Sequence, residues 1–177
     1  MQTVKLGFLL TIFSVFLLSM KKDKAPSGTQ WMTLAMAEDS LKVAKRPVLI
    51  DLYTDWCGWC KVMDKKTYSN KNVAAYIASK FYAVKVNAES RTAFTWMGKS
   101  YNYNERYRTN DFAMFLTQGQ LSYPTTVIIP TDGSEPQAIP GYLETKDFEL
   151  ILTYFGEGHY GKIPFQQYQQ QFKSSWK

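Results

Sequence analysis

The chain has 177 residues, 45% of them hydrophobic and 16% aromatic, enough for one domain with a full core and too apolar for a disordered segment. Its formal charge of +6 is partly local, because residues 1–24 contribute +3 and the other 153 residues only +3. That is a mildly basic surface rather than a phosphate-binding field, so no nucleic-acid partner is expected.

At the N-terminus, Lys5 precedes an uncharged apolar run, LGFLLTIFSVFLLSM, from Leu6 to Met20. Its 15 residues fit the core of an export signal and fall short of a membrane span of about 20. Residues 1–24 therefore read as a signal peptide or an N-terminal membrane anchor. Either way the remainder is expected outside the cytosol, in the cell envelope or periplasm. Residues 25–30 read as a linker.

From Trp31, WMTLAMAEDSLKVAKR has helical spacing at Leu34, Ala37, Leu41 and Ala44, and Pro47 ends it. VLIDLY, 48–53, is a near-continuous apolar run of strand length, as in a strand buried on both faces. The cysteine motif WCGWC follows at once, and CKVMDKK continues as a helix. Asn70 or Asn72 caps a further helix with Val73, Ile77 and Ala78 inward. FYAVKV, 81–86, and TTVIIP, 125–130, read as strands, separated by a polar, Tyr-rich stretch too long for a plain connection. That stretch is expected to hold its own helix or lid. QAIPGY reads as an edge strand, because Pro140 cannot donate to a central ladder. Thr145 is expected to cap a helix with Phe148, Ile151, Leu152 and Phe155 on its apolar face. In the tail, 157–177, Phe165, Tyr168 and Phe172 form a helical stripe, expected to pack on the domain or to dock a partner. The order predicts an α/β sandwich: a central sheet with helices on both faces.

Cys57 and Cys60 are the only cysteines. A structural staple closing so small a loop gains little. A structural zinc site needs four ligands, and the single histidine, His159, lies about a hundred residues away, so no metal is expected. A redox pair fits best. Cys-x-x-Cys after a buried strand puts the first thiol at a helix N-terminus, where unpaired N–H groups and the helix dipole stabilise a thiolate. Cys57 is expected to be exposed and to attack, and Cys60, one turn on, to be shielded and to resolve. No cofactor is needed for that chemistry.

Asp51 interrupts the apolar strand, where burial raises a carboxyl pKa. It is expected to exchange a proton with Cys60. Asp64 lies four residues after Cys60 on nearly the same helical face, placed either to raise the first thiol's pKa by like-charge repulsion or to stand as an ordinary exposed helix acid. Lys85 is placed either to neutralise Asp51 across neighbouring strands or to snorkel at the surface. Pro124 opens the third strand, and a cis bond there would free the Tyr123 backbone to pair with an extended substrate.

The segments VLIDLYTDWCGWCK, VKVNAE, YPTTVIIPTDG and IPGYLETKDF stand in the order of a thioredoxin-like fold. The resemblance covers roughly residues 40–155, and DLYTDWC with CK and TYSNKNV resembles most the C-terminal thioredoxin-like domain of DsbD-type thiol:disulfide interchange proteins. It implies a central mixed sheet flanked by helices over 31–156, with an insertion before the cis-proline strand. It also implies that Cys57 is the nucleophile, Cys60 the resolving thiol, Asp51 the buried acid and Asp64 the family's acidic position near the thiols. Pro124 then matches the cis-proline facing the disulfide and Trp56 the tryptophan shielding the site. Trp59 and Tyr123 join the expected substrate-binding surface. Gly58-Trp59 departs from thioredoxin's Gly-Pro. The implied activity is dithiol–disulfide exchange on protein substrates, in the reducing direction, with electrons from a separate membrane donor. An oxidase or isomerase, or a binding module with secondary redox activity, are the alternatives.

Overall fold

A computed structural model describes residues 28–176. The expected signal or anchor and the first half of the expected linker, residues 25–27, lie outside the described residues. Helix α1, Leu34–Val43, begins later than its periodicity suggests. The Thr33 hydroxyl accepts the Met36 N–H at 3.2 Å as N-cap. Met32 is drawn instead to the sheet, donating to the Ala83 carbonyl at 2.8 Å and bridging Val84.

Strand β1, Val48–Tyr53, is followed by helix α2, Gly58–Met63, and a π turn over Asp64–Tyr68. Helix α3, Lys71–Lys80, is capped by Asn70, whose side chain accepts from Asn72 and Val73. Its inward positions are Val73, Ala74 and Ile77, while Ala78, expected inward, is exposed. Strand β2, Tyr82–Asn87, precedes the insertion. The expected lid is two small hairpins, β3 Phe94–Trp96 with β4 Lys99–Tyr101 and β5 Tyr103–Asn104 with β6 Thr109–Asn110, then helix α4, Asp111–Thr117. Strand β7, Thr125–Ile129, and edge strand β8, Gln137–Pro140, lead to helix α5, Thr145–Gly156. Thr145 is the first helical residue; Glu144 holds the cap position and makes no side-chain cap bond. Of the tail, only α6, Phe165–Gln171, is helical.

The main sheet has the order β2-β1-β7-β8, with β1 parallel to β2 and antiparallel to β7. Alternation along β1 divides the core. Val48, Ile50 and Leu52 meet α1, α4 and the aromatic insertion residues Trp96, Tyr101 and Phe112. Leu49 faces Met63, Tyr68, Ile77, Phe148 and Leu152 on the other side. Asp51, two residues after Leu49, shares this second face.

The tail folds back on that second layer. Phe165 and Tyr168 meet the Tyr154 ring, and Trp176 lies 5.5 Å from Tyr76, centroid to centroid. Its last residues are tied to Glu149, a buried carboxylate of α5 next to Phe148.

Candidate active site

β1 delivers the chain into a tight turn in which the Cys57 N–H donates to the Thr54 carbonyl at 3.2 Å. Cys57 then N-caps α2, and the Cys60 N–H donates to Cys57 Sγ at 3.0 Å. One of the four N–H groups a helix start leaves unpaired is thus aimed at the sulfur. Cys57 and Cys60 are joined as a disulfide, with Cα atoms 5.3 Å apart.

Cys57 is buried, at 4% exposure against 3% for Cys60, so the expected contrast between an exposed and a shielded cysteine is corrected. Exposure belongs instead to the two tryptophans, Trp56 at 66% and Trp59 at 62%. Trp56 donates its indole N–H to Glu89 Oε1 at 2.9 Å and meets the Tyr123 ring edge-on at 5.9 Å. Trp59 lies 5.4 Å from Tyr142. The Tyr123–Pro124 peptide is cis. Leu52 pairs with Thr125, which sets Pro124 beside the end of β1 from which the cysteine turn departs.

Beneath the turn lies a charged cluster. Asp51 pairs in register with Lys85 on β2 and Thr126 on β7. Its side chain is 2% exposed, and Lys85 Nζ approaches Oδ2 at 2.9 Å. Burial pushes the Asp51 carboxyl up to about 6, although the Lys85 charge and hydrogen bond pull it down. Lys85 is shared: it also donates to Asp64 and stands over the Tyr53 and Trp31 rings at 4.9 and 5.4 Å. Burial lowers the Lys85 ammonium, but Asp51 and Asp64 outweigh it and leave it raised. The Asp64 charge expected to repel the thiolate is therefore answered by a lysine, which weakens that role. The Tyr68 hydroxyl completes the cluster against Thr126 Oγ1 at 3.1 Å, and burial holds it well above the usual phenol range. A cavity of about 350 Å³, lined by Trp31, Asp64, Tyr68 and Lys85 among others, opens on these charges.

The π turn sets this geometry. Ser69 N–H donates to Asp64 O, five residues back, at 3.1 Å. The turn leaves Asp64 at the surface beside Lys85 and turns Tyr68 into the core.

Three residues of the site escape the sequence reading. Tyr142 flanks Trp59. Thr54 opens the cysteine turn. Glu89 fixes Trp56, and for it a signal exists: β1 and β2 run parallel, so a residue just past β2 stands at the same end of the sheet as WCGWC. His159 stacks on Tyr168 at 4.7 Å, away from the cysteines in sequence and in partners. Among the described residues no helix is long and apolar enough to cross a membrane.

The family model of the thioredoxin-like domain matches residues 34–156. The thiol:disulfide interchange protein DsbD of Escherichia coli strain K12 is 28% identical over 127 residues, covering 70% of this chain. The chain spans only 20% of that relative's length. Among solved structures, a DsbH oxidoreductase superposes with a TM-score of 0.54 at 14% identity, covering 80% of this chain and 93% of that one. A thioredoxin-fold protein from Helicobacter pylori gives 0.55 at 18% identity, covering 71% and 83%. A thioredoxin from Thermus thermophilus gives 0.52 at 18% identity, covering 77% and 99%. These likenesses bear out the α/β fold with a mixed central sheet flanked by helices.

Proposed function

The chain belongs to the thioredoxin-like domain family, and from that premise we propose that Cys57 and Cys60 form the redox centre of a thiol–disulfide oxidoreductase that reduces protein disulfides. The observation that carries this is a cysteine pair within disulfide distance at a strand-to-helix turn, with a backbone N–H on the first sulfur. A buried, proton-binding carboxylate on the sheet face below supports it.

The cycle starts from the dithiol. The Cys57 thiolate attacks one sulfur of the substrate disulfide, and the other sulfur leaves as a thiolate and takes up a proton. Asp51, mostly ionised at neutral pH, takes the Cys60 proton. The Cys60 thiolate attacks Cys57 Sγ, closing the intramolecular disulfide and releasing the second substrate thiol. Trp56, Trp59, Tyr123 and the backbone beside Pro124 form the surface on which an extended substrate segment rests. A separate dithiol donor, held at a membrane, resets the pair. The chain works after export, in the cell envelope. Asp51 supports the reducing direction, because its burial outweighs the Lys85 pairing and makes a second anion beside it costly.

The test is the equilibrium of the pair with glutathione. A potential near that of thioredoxin, about −270 mV, supports reduction, and one close to about −120 mV makes the chain an oxidant. A Cys57→Ser, Cys60→Ser double variant that retains disulfide-reducing activity would remove the pair from the mechanism altogether.

A further inference from the structure

Thr54 is the residue at which β1 leaves the sheet. It is 1% exposed, and its hydroxyl is the only buried side-chain polar atom among the described residues without a hydrogen-bond partner. The contrast with its own kind is sharp. Buried Thr29, Thr67, Thr109, Thr117 and Thr125 each donate to a backbone carbonyl, and Thr126 pairs with Tyr68. A buried hydroxyl gives up its hydration, and without a partner nothing offsets the loss.

The Thr54 carbonyl is occupied, because it accepts the Cys57 N–H and makes Thr54 and Cys57 the two ends of one tight turn. The residues between them are held from the end of β2 and the loop after it. Asn87 donates to Asp55 Oδ2 at 3.0 Å, and Trp56 donates to Glu89. The hydroxyl is therefore buried at one end of a tight turn whose other end carries the sulfur that changes charge.

We propose that the Thr54 hydroxyl is a hydrogen-bond donor held for the Cys57 thiolate, idle in the disulfide and engaged once the pair is reduced. This rests on the dithiol reading above. A disulfide sulfur is a poor acceptor, whereas a thiolate is a charged and strong one. On reduction, the electron pair comes from a dithiol, whose sulfurs join as a new disulfide. The Cys57–Cys60 bond breaks, Cys60 leaves as a thiol carrying one of the donor's protons, and Cys57 leaves as a thiolate. The second proton goes to solvent. The Thr54 O–H then turns onto Cys57 Sγ and stabilises the reduced form over the oxidised one.

The experiment is Thr54→Val, which keeps the shape and deletes the hydroxyl. The equilibrium constant with glutathione should move about tenfold toward the disulfide, about 30 mV more reducing. In a Cys60→Ser background, the Cys57 titration, followed by thiolate ultraviolet absorbance, should rise by about one pH unit. Thr54→Ser should return both readings to within about twofold of the parent. Unchanged readings in Thr54→Val, or a shift in Thr54→Ser as large as in Thr54→Val, would overturn the proposal. Should the valine variant not fold, Thr54→Ala carries the same two readings. A parent protein that never equilibrates with glutathione sinks the dithiol reading, and the Cys57 titration still decides on the hydroxyl.

Discussion

Two buried carboxylates, Asp51 and Glu149, share almost the same exposure and behave in opposite ways. Asp51 is 2% exposed and Glu149 1%. Burial alone raises both. At Asp51 the only ion-pair partner among the described residues is Lys85, which Asp64 shares, and the carboxyl stays high at about 6. At Glu149 the tail supplies four donors: Ser174 Oγ at 2.5 Å, Ser175 N at 2.7 Å, Ser175 Oγ at 2.8 Å and Trp176 N at 3.1 Å. Together they outweigh burial and leave the carboxyl below its ordinary value. At Asp51 burial prevails over the one shared lysine, and at Glu149 the four donors prevail over burial. Glu149 is a permanent anion that fastens the tail, and Asp51 is an acid free to take and return a proton.

Exchanging the two charges for amides is the strongest way to break that contrast. Asp51→Asn should slow insulin reduction at neutral pH on the order of a hundredfold, the usual loss for a proton-transfer group. Glu149→Gln should stay within about twofold in the same turbidity assay. Equal effects from both would remove the distinction.

Stability comes next, and its pH dependence has opposite signs at the two sites. A raised Asp51 pKa means that the folded chain binds this proton more tightly than the unfolded one. Stability therefore falls as pH rises from about 4 to about 6, by at most roughly 3 kcal/mol. Asp51→Asn removes that fall and should be the more stable protein in urea titrations near pH 7. The lowered Glu149 pKa contributes stability that is present above the ordinary carboxylate range and lost as pH drops below about 4. Glu149→Ala should cost about 2 kcal/mol at neutral pH, read from the same titrations.

Smaller effects sharpen the account of Lys85. Lys85→Met strips Asp51 of the cation paired with it and should move the acidic inflection of the pH–rate profile up by about one unit. The smallest effect belongs to Asp64→Asn. Lys85 is then left to Asp51 alone, so the inflection should move down by less than the Lys85→Met shift. Stability should change by no more than about 1 kcal/mol, because this pair is partly solvated. An upward shift in Asp64→Asn would show that Asp64 does not draw on Lys85.

How far the molecule can be read from its sequence follows the same division between local and borrowed partners. VLIDLY announces a buried strand because six residues in a row carry the pattern, and WCGWC announces a redox turn because strand, cysteines and helix are contiguous. Asp51 and Lys85 are legible as a pair because both interrupt apolar strands. The start of α1 is not legible, since helical spacing continues through Met32 while the Ala83 carbonyl claims that residue for the sheet. The burial of Cys57 is a tertiary quantity with no local signature. The burial of Glu149 is not legible either, because the serines that bind it lie some 25 positions later. Thr54 carries no signal at all, because what distinguishes it is a bond it does not make.

The π turn over Asp64–Tyr68 has a consequence for anyone comparing this chain with others. A π turn accommodates one more residue than the α-helical path between the same two points. A relative whose helix runs there without it would be one position shorter. A residue-by-residue transfer of roles across residues 64–68 would then be correct up to Cys60 and displaced by one from the far side of the turn onward. Tyr68, the group pinned against Thr126, would be assigned to a neighbour that never enters the core. In this fold a single gap, placed inside a helix where gaps are normally forbidden, separates a right alignment from a wrong one.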